Sequence, residues 1–253
     1  MAKRSQYLFW TINLIFALVA IGHVWSVATG HGELAVLSKM MLSLSMAALL
    51  RQQLKDAIPI TIWTAVLFCL CGDVLLQPLD TDYANMEHGR DVNFFAGIVC
   101  FILAYGNLVR YLLQLVPDWR HRVRAQPLPL MLNVAVTIGL LTWMTCYNRA
   151  ESRLVPVLWL YSPVVVSCAT LSVYVRGAVQ IVHWVMLAAG CHIILLSDTL
   201  IGLTAFPQVV MPWWSNPVWI LSSYALGLVL VFNAVVAIQK SRFAVPTAGL
   251  RSV

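Results

Sequence analysis

The sequence predicts an all-α integral membrane protein: a bundle of eight transmembrane helices with both termini in the cytoplasm. Three observations predict it. Of the 253 residues, 60% are hydrophobic and only 10% charged, with a mean hydropathy of +0.82; a soluble domain carries roughly 25% charged residues, and only lipid solvates so much apolar surface. Apolar runs recur at lengths that cross roughly 30 Å of hydrocarbon at about 1.5 Å per residue. Basic residues alternate between successive connections as the positive-inside rule requires.

The spans run approximately over 7–28, 33–51, 58–77, 93–116, 127–147, 154–175, 180–203 and 217–239, so that 1–253 reads as one transmembrane domain with no soluble domain or linker. The first follows Lys3-Arg4; it is too long for the apolar region of a signal peptide and lacks a clear small-x-small cleavage site, so it is expected to stay as a helix. The second starts outside, carries Lys39 one to two turns in and ends at Arg51. The third runs outward through "CLCGDVLL" (69–76), and the longest connection, 78–92, follows it. The fourth carries Arg110 near its inner end, where the side chain snorkels to headgroups. The fifth follows the basic segment of Arg120, Arg122 and Arg124, and the sixth brings Tyr161 in from outside. The seventh runs outward through "LLSDTLI" (195–201), and the eighth brings Tyr224 in from outside.

With the N-terminus inside, the inner segments hold Lys3, Arg4, Arg51, Lys55, Arg120, Arg122, Arg124, Arg176, Lys240, Arg242 and Arg251, against Arg90, Arg149 and Arg153 outside. This bias accounts for the net charge of +6 and leaves no reason to expect nucleic-acid binding. The six cysteines fall inside spans, where they act as small apolar residues and not as a disulfide framework. Cys69-x-Cys71 lacks the further ligands of a metal site, and no metal or other cofactor is expected.

Of the ten acidic residues, Glu33, Asp56, Asp80, Asp82, Glu87, Asp91, Asp118 and Glu151 lie in loops or at span ends. Asp73 and Asp198 lie within spans three and seven. An intramembrane carboxylate costs a few kcal/mol and marks a functional site unless it merely holds helices together. The two settings match. Both spans run outward, the residues lie roughly 15 and 18 positions in, and each follows the word small residue, Asp, any residue, Leu, then Leu or Ile. A separation of half the chain suggests a parallel four-plus-four repeat. Gln77 shares a helix face with Asp73, while Lys39, Tyr161 and Tyr224 reach a similar depth. Lys39 reads equally as a snorkelling residue, and the two tyrosines as interface aromatics. His23, His183 and His192 read as structural.

Missing signatures exclude several chemistries. The chain has no G-x-S-x-G, H-E-x-x-H, P-loop or dinucleotide fingerprint. The G-x-G-D and Y-D words of intramembrane aspartyl proteases are absent, because Leu70 stands three before Asp73 and Ser197 precedes Asp198. What remains is a pair of carboxylates in a partly dry setting, suited to acid/base work in which one member carries the proton and the other stays charged. A lipid is the expected substrate, since such a site opens sideways to acyl chains and upward to a headgroup.

Lys39 in "SKMM", "GDVLL" (72–76), "FFAGIVCF" (94–101), "PVLWLY" (156–161), Gly190 followed by "LLSDTLI", and Tyr224 together resemble the YhhN family of lysoplasmalogenases, over about 35–235. The sequence departs from the family pattern at Lys39-Met40, Ala104-Tyr105 and Gly227. The resemblance implies hydrolysis of the vinyl-ether bond of lysoplasmalogens, giving a fatty aldehyde and glycerophospho-ethanolamine or -choline. Protonation of a vinyl ether at carbon creates an oxocarbenium ion, and two aspartates can share the proton donation and the stabilisation of that cation as glycosidases do. Asp73 and Asp198 are the expected catalytic pair, with Lys39, Gln77, Tyr161 and Tyr224 binding or orienting. Arg90, Arg149 and Arg153 are expected in outer loops, where they either attract the phosphate or are simply solvated. The expected partners are the lysophospholipid and surrounding membrane lipid, and the expected location is a bacterial inner membrane. The alternative is a proton- or ion-coupled transporter, against which the apolar inner halves of spans three and seven count; a scaffold or lipid-binding protein would tolerate loss of either Asp.

Overall fold

The computed structural model describes residues 2–54, 58–76, 90–146, 154–204 and 217–244. They form α1 (Ala2–Ala28), α2 (Gly32–Leu54), α3 (Ile60–Leu75), α4 (Arg90–Leu115), α5 (Trp119–Ala125), α6 (Leu128–Cys146), α7 (Leu154–Tyr174), α8 (Ile181–Thr204) and α9 (Pro217–Ala244). No β-strand occurs among the described residues. All but α5 coincide with the expected spans to within a few residues at most ends. Seven of them (α1, α2, α4, α6, α7, α8 and α9) are long and apolar enough to cross a membrane. α3 is equally apolar but runs 16 residues, about 24 Å at the helical rise, with the segments 55–57 and 77–89 outside the described residues.

α5 is an addition to the expected elements. "WRHRVRA" is too short and too basic to register as an apolar run. Its helix buries no residue and is tied down by Arg122, which pairs with Asp118 at 3.0 Å and donates to the carbonyls of Tyr174 (3.1 Å) and Arg176 (2.6 Å). Two of the fully described connections place a glycine in left-handed conformation. Gly30 (φ 76°) ends α1, with His31 N–H donating to Ser26 and Gly30 N–H to Val27, and Gly177 (φ 83°) makes the α7–α8 turn.

Helix contacts close a ring in the order α2, α3, α4, α7, α8, α9 and back to α2. α1 lies outside it against α2 and α9, and α6 lies outside it against α7. The outward faces are apolar: Trp10, Leu14, Leu18 and Ile21 on α1, and Met131, Leu132, Val136 and Ile138 on α6, are all exposed. In water such patches would drive association; in lipid they are the solvated surface. Together with the long apolar helices they mark a multi-pass membrane protein.

Without a hydrophobic force between helices in lipid, close approach and polar contacts hold the bundle. The two most extensive helix pairs, α3/α4 and α8/α9, meet at glycines. A Cβ on Gly72 would lie 2.8 Å from the Phe101 ring, and one on Gly97 2.7 Å from Leu76. A Cβ on Gly190 would lie 2.9 Å from the Val231 nitrogen, and one on Gly227 2.5 Å from Ile194 and 3.1 Å from the Gly190 carbonyl. Toward the Gly177 end, side chains bond across helices: Thr64 to Asn107 (2.9 Å), Gln239 to Tyr111 (3.0 Å) and Lys240 to Gln53. Asn233 bonds Asn13 at 2.8 Å and so fastens α9 to α1.

Gly190→Val and Gly227→Val are expected to cost about 1–3 kcal/mol by overpacking against backbone, lowering the unfolding temperature in detergent by several degrees. Gly106→Ala and Gly139→Ala, where a Cβ meets nothing within 4 Å, serve as controls and should leave it unchanged or raised, because Ala is the better helix former. Equal effects at all four positions would remove close helix approach as the reason for these glycines.

Candidate active site

Lys39, Tyr161 and Tyr224 each lie about two turns into their own helices, α2, α7 and α9, and all three enter from the Gly30 end. Asp73 and Asp198 lie near the opposite ends of antiparallel neighbours, α3 and α8. This common depth is what lets five helices bring polar groups to one level.

Asp73 is fully buried. The Ser43 hydroxyl donates to its Oδ2 at 2.8 Å, and the Tyr224 hydroxyl lies 3.1 Å from Oδ1 and 3.2 Å from Oδ2. Lys39 Nζ stands 3.6 Å from Oδ1, with its side chain 10% exposed. Lys39 and Ser43 are four apart and so present one face of α2. A carboxylate in hydrocarbon costs about 2.5–3.5 kcal/mol on insertion scales, and hydrogen bonds to charged groups return about 1.5–3 kcal/mol each. Two hydroxyls and an ammonium therefore offset part of the cost of placing a carboxylate here.

Asp198 is only partly buried. Tyr161 donates to its Oδ2 at 2.6 Å, the only donor that reaches it with ordinary geometry among the described residues. Asp198 lies within electrostatic range of both Lys39 and Asp73, so the two carboxylates share one neighbourhood. Cys69, one turn from Asp73, feels both charges. Among the described residues its buried thiol makes no hydrogen bond.

α4 joins the two halves. Phe101 and Tyr105, four apart on one face, form an aromatic series with the two acid-binding tyrosines. Tyr224 meets Phe101 edge-on (6.3 Å), Phe101 stacks on Tyr105 (6.0 Å), and Tyr105 meets Tyr161 edge-on (6.1 Å), all at distances where ring pairs attract. The Tyr105 hydroxyl is buried beside Asp198 and Tyr161 yet forms no hydrogen bond of ordinary geometry. Beneath the carboxylates, toward the Gly177 end, a small cavity is lined by Ala65, Cys69, Ala104, Tyr105, Leu108, Ile194, Leu228, Val231 and Phe232. Several of these lie a turn from a site residue.

The structure brings Lys39 and Tyr224 to Asp73 and Tyr161 to Asp198. Lys39 binds the carboxylate and does not snorkel, and both tyrosines bind carboxylates. Gln77, Arg149 and Arg153 lie outside the described residues, as does the side chain of Arg90. Ser43, Phe101 and Tyr105 are additions; the i, i+4 spacing from Lys39 to Ser43 and from Phe101 to Tyr105 is the signal that points to them. His192 bonds the Ala188 carbonyl (2.8 Å) and His23 bonds Ser38 (2.9 Å), neither touching a carboxylate. Among the described residues no group of three His, Cys, Asp or Glu side chains is placed to hold a metal ion.

A model of the YhhN family matches residues 34–235, a range that contains every residue of the site. No curated protein and no solved structure matches the chain.

Lys39→Met should cost about 3–5 kcal/mol, the effect of stranding a buried charge, read as thermal unfolding in detergent without lipid. Adding Asp73→Asn to the same chain should recover most of the loss. Strictly additive losses in the double variant would mean that the Lys39–Asp73 contact carries no coupling energy.

Proposed function

The chain belongs to the YhhN family, and from that premise we propose that it hydrolyses the vinyl-ether bond of lysoplasmalogens, lysoplasmenyl-ethanolamine or -choline. The products are a fatty aldehyde and glycerophospho-ethanolamine or -choline. The observation that carries this reading is the meeting of Asp73 and Asp198 in one neighbourhood inside an apolar bundle. Family membership supports hydrolase chemistry. The two carboxylates supply a way to perform it on an ether that resists bases and nucleophiles.

A carboxyl donates its proton to the vinyl carbon distal to oxygen, and the electron pair of the double bond forms the new C–H bond. The adjacent carbon becomes an oxocarbenium ion, whose charge the negative charge of the site offsets. Water adds to that carbon and returns a proton to the first carboxylate. The hemiacetal then collapses to the aldehyde and the glycerol hydroxyl. General acid/base catalysis of this kind contributes about 10²–10⁴ in rate, and the scheme calls on no metal or other cofactor. Lys39, Ser43 and Tyr224 hold Asp73, and Tyr161 holds Asp198.

The topology belongs to the same proposal. α3 is read as an eighth crossing, both termini as cytoplasmic and the site as facing the periplasmic leaflet of a bacterial inner membrane, on the charge bias of the connections. A four-plus-four repeat is supported by the ring. α2, α3 and α4 neighbour one another as α7, α8 and α9 do, and α4 meets α7 as α9 meets α2. A transporter would need a polar path onward from the carboxylates, and the cavity directly beneath them is apolar.

Protein purified in detergent and given lysoplasmenyl-choline or -ethanolamine is expected to release fatty aldehyde. Asp73→Asn and Asp198→Asn should each lower the rate by about 100-fold or more. Full turnover in both variants sinks the two-carboxylate mechanism, and no turnover by the unaltered protein on either lipid sinks the substrate assignment.

A further inference from the structure

We infer that the two carboxylates are not interchangeable: Asp198 meets the substrate and delivers the proton to carbon, whereas Asp73 is a sealed counter-charge that never touches it. This rests on the vinyl-ether reading above and assigns the roles within it.

The asymmetry is geometric. Asp73 has no exposed surface, and its two oxygens are occupied by Ser43, Tyr224 and Lys39, all of them donors. A substrate atom would have to displace one of these from a buried position. Asp198 is partly exposed, and among the described residues no donor of ordinary geometry reaches its Oδ1, Tyr161 being bound to Oδ2. Beside it stands the Tyr105 hydroxyl, on a residue 3% exposed and without a well-formed hydrogen bond. That hydroxyl lies within reach of Asp198 and Tyr161 with a well-formed bond to neither, so a ligand oxygen can take its proton without breaking a good hydrogen bond. Asp198 and Tyr105 therefore form the face that awaits a ligand, and the apolar cavity runs on from Tyr105.

In the step so assigned, the Asp198 O–H bond breaks as the C–H bond forms at the vinyl carbon, leaving Asp198 as a carboxylate against the oxocarbenium ion. Water then adds to the cation and gives its proton back to Asp198. Tyr105 donates to an oxygen of the glycerol ether, and the Asp73–Lys39 pair stays intact throughout.

Dicyclohexylcarbodiimide tests this without turnover, because it enters membranes and couples only to accessible, protonated carboxyls. Intact protein in detergent is treated, digested and mapped by mass spectrometry. The adduct is expected on Asp198, blocked by saturating lysoplasmenyl-choline, retained in Asp73→Asn and lost in Asp198→Asn. An adduct on Asp73, none on Asp198, or labelling of Asp198 indifferent to the lipid overturns the assignment. Tyr105→Phe should leave the labelling in place and raise KM about fivefold, the loss of one hydrogen bond; an unchanged KM removes Tyr105 from the ligand face. Aldehyde release by the unaltered protein, measured separately, decides the reaction itself, so the two failures are distinguishable.

Discussion

The carboxylate of Asp73 takes its partners from helices that are distant in sequence: Lys39 and Ser43 from α2, and Tyr224 from α9, 151 residues away. A charge in hydrocarbon is tolerated only if such partners arrive with good geometry. That requirement fixes which faces of α2, α3 and α9 turn inward, and it places their polar residues at one level. The ring of six helices follows from it, since α3 must lie beside α2 with α9 close to both.

Close approach makes the geometry attainable. Tyr224 reaches Asp73 from a helix whose spacing to α8 is set by Gly190 and Gly227, and Gly72 admits Phe101 against the backbone immediately before Asp73. The aromatic series from Tyr224 to Tyr161 then links the tyrosine that binds Asp73 to the one that binds Asp198 through successive ring contacts. The polar groups are few, and apolar packing aims each of them.

Much of this was legible in the sequence, because the signals are extreme. A carboxylate within a span is rare enough that Asp73 and Asp198 stand out, and a depth count alone raised Lys39, Tyr161 and Tyr224 to their level. Ser43 was not legible. Serine in an apolar helix commonly bonds its own chain, as Ser38, Ser45, Ser162 and Ser167 do here. Only the rotation of α2 about its axis tells Ser43 apart from them, and helices apolar on nearly every side leave that rotation unmarked. Tyr105 stood out in the sequence only as a departure from the family pattern, since its place beside Asp198 depends on how α4 is set relative to α7 and α8. α5 escaped because basic residues dominate its seven positions, and hydropathy reads such a segment as a loop.

Tyr224 lies on the last of the described helices, 151 residues after Asp73, which bears on how the site is assembled. At roughly 5–20 residues per second, the ribosome takes about 8–30 s after Asp73 to reach Tyr224. During that interval Asp73 has only the hairpin partners Lys39 and Ser43, already synthesised on α2. The local pair thus shelters the acid while the chain is inserted, and the ring closes when α9 arrives. A chain truncated before α9 would keep both aspartates and lack the tyrosine that completes the first, so that assembly of the site waits for α9.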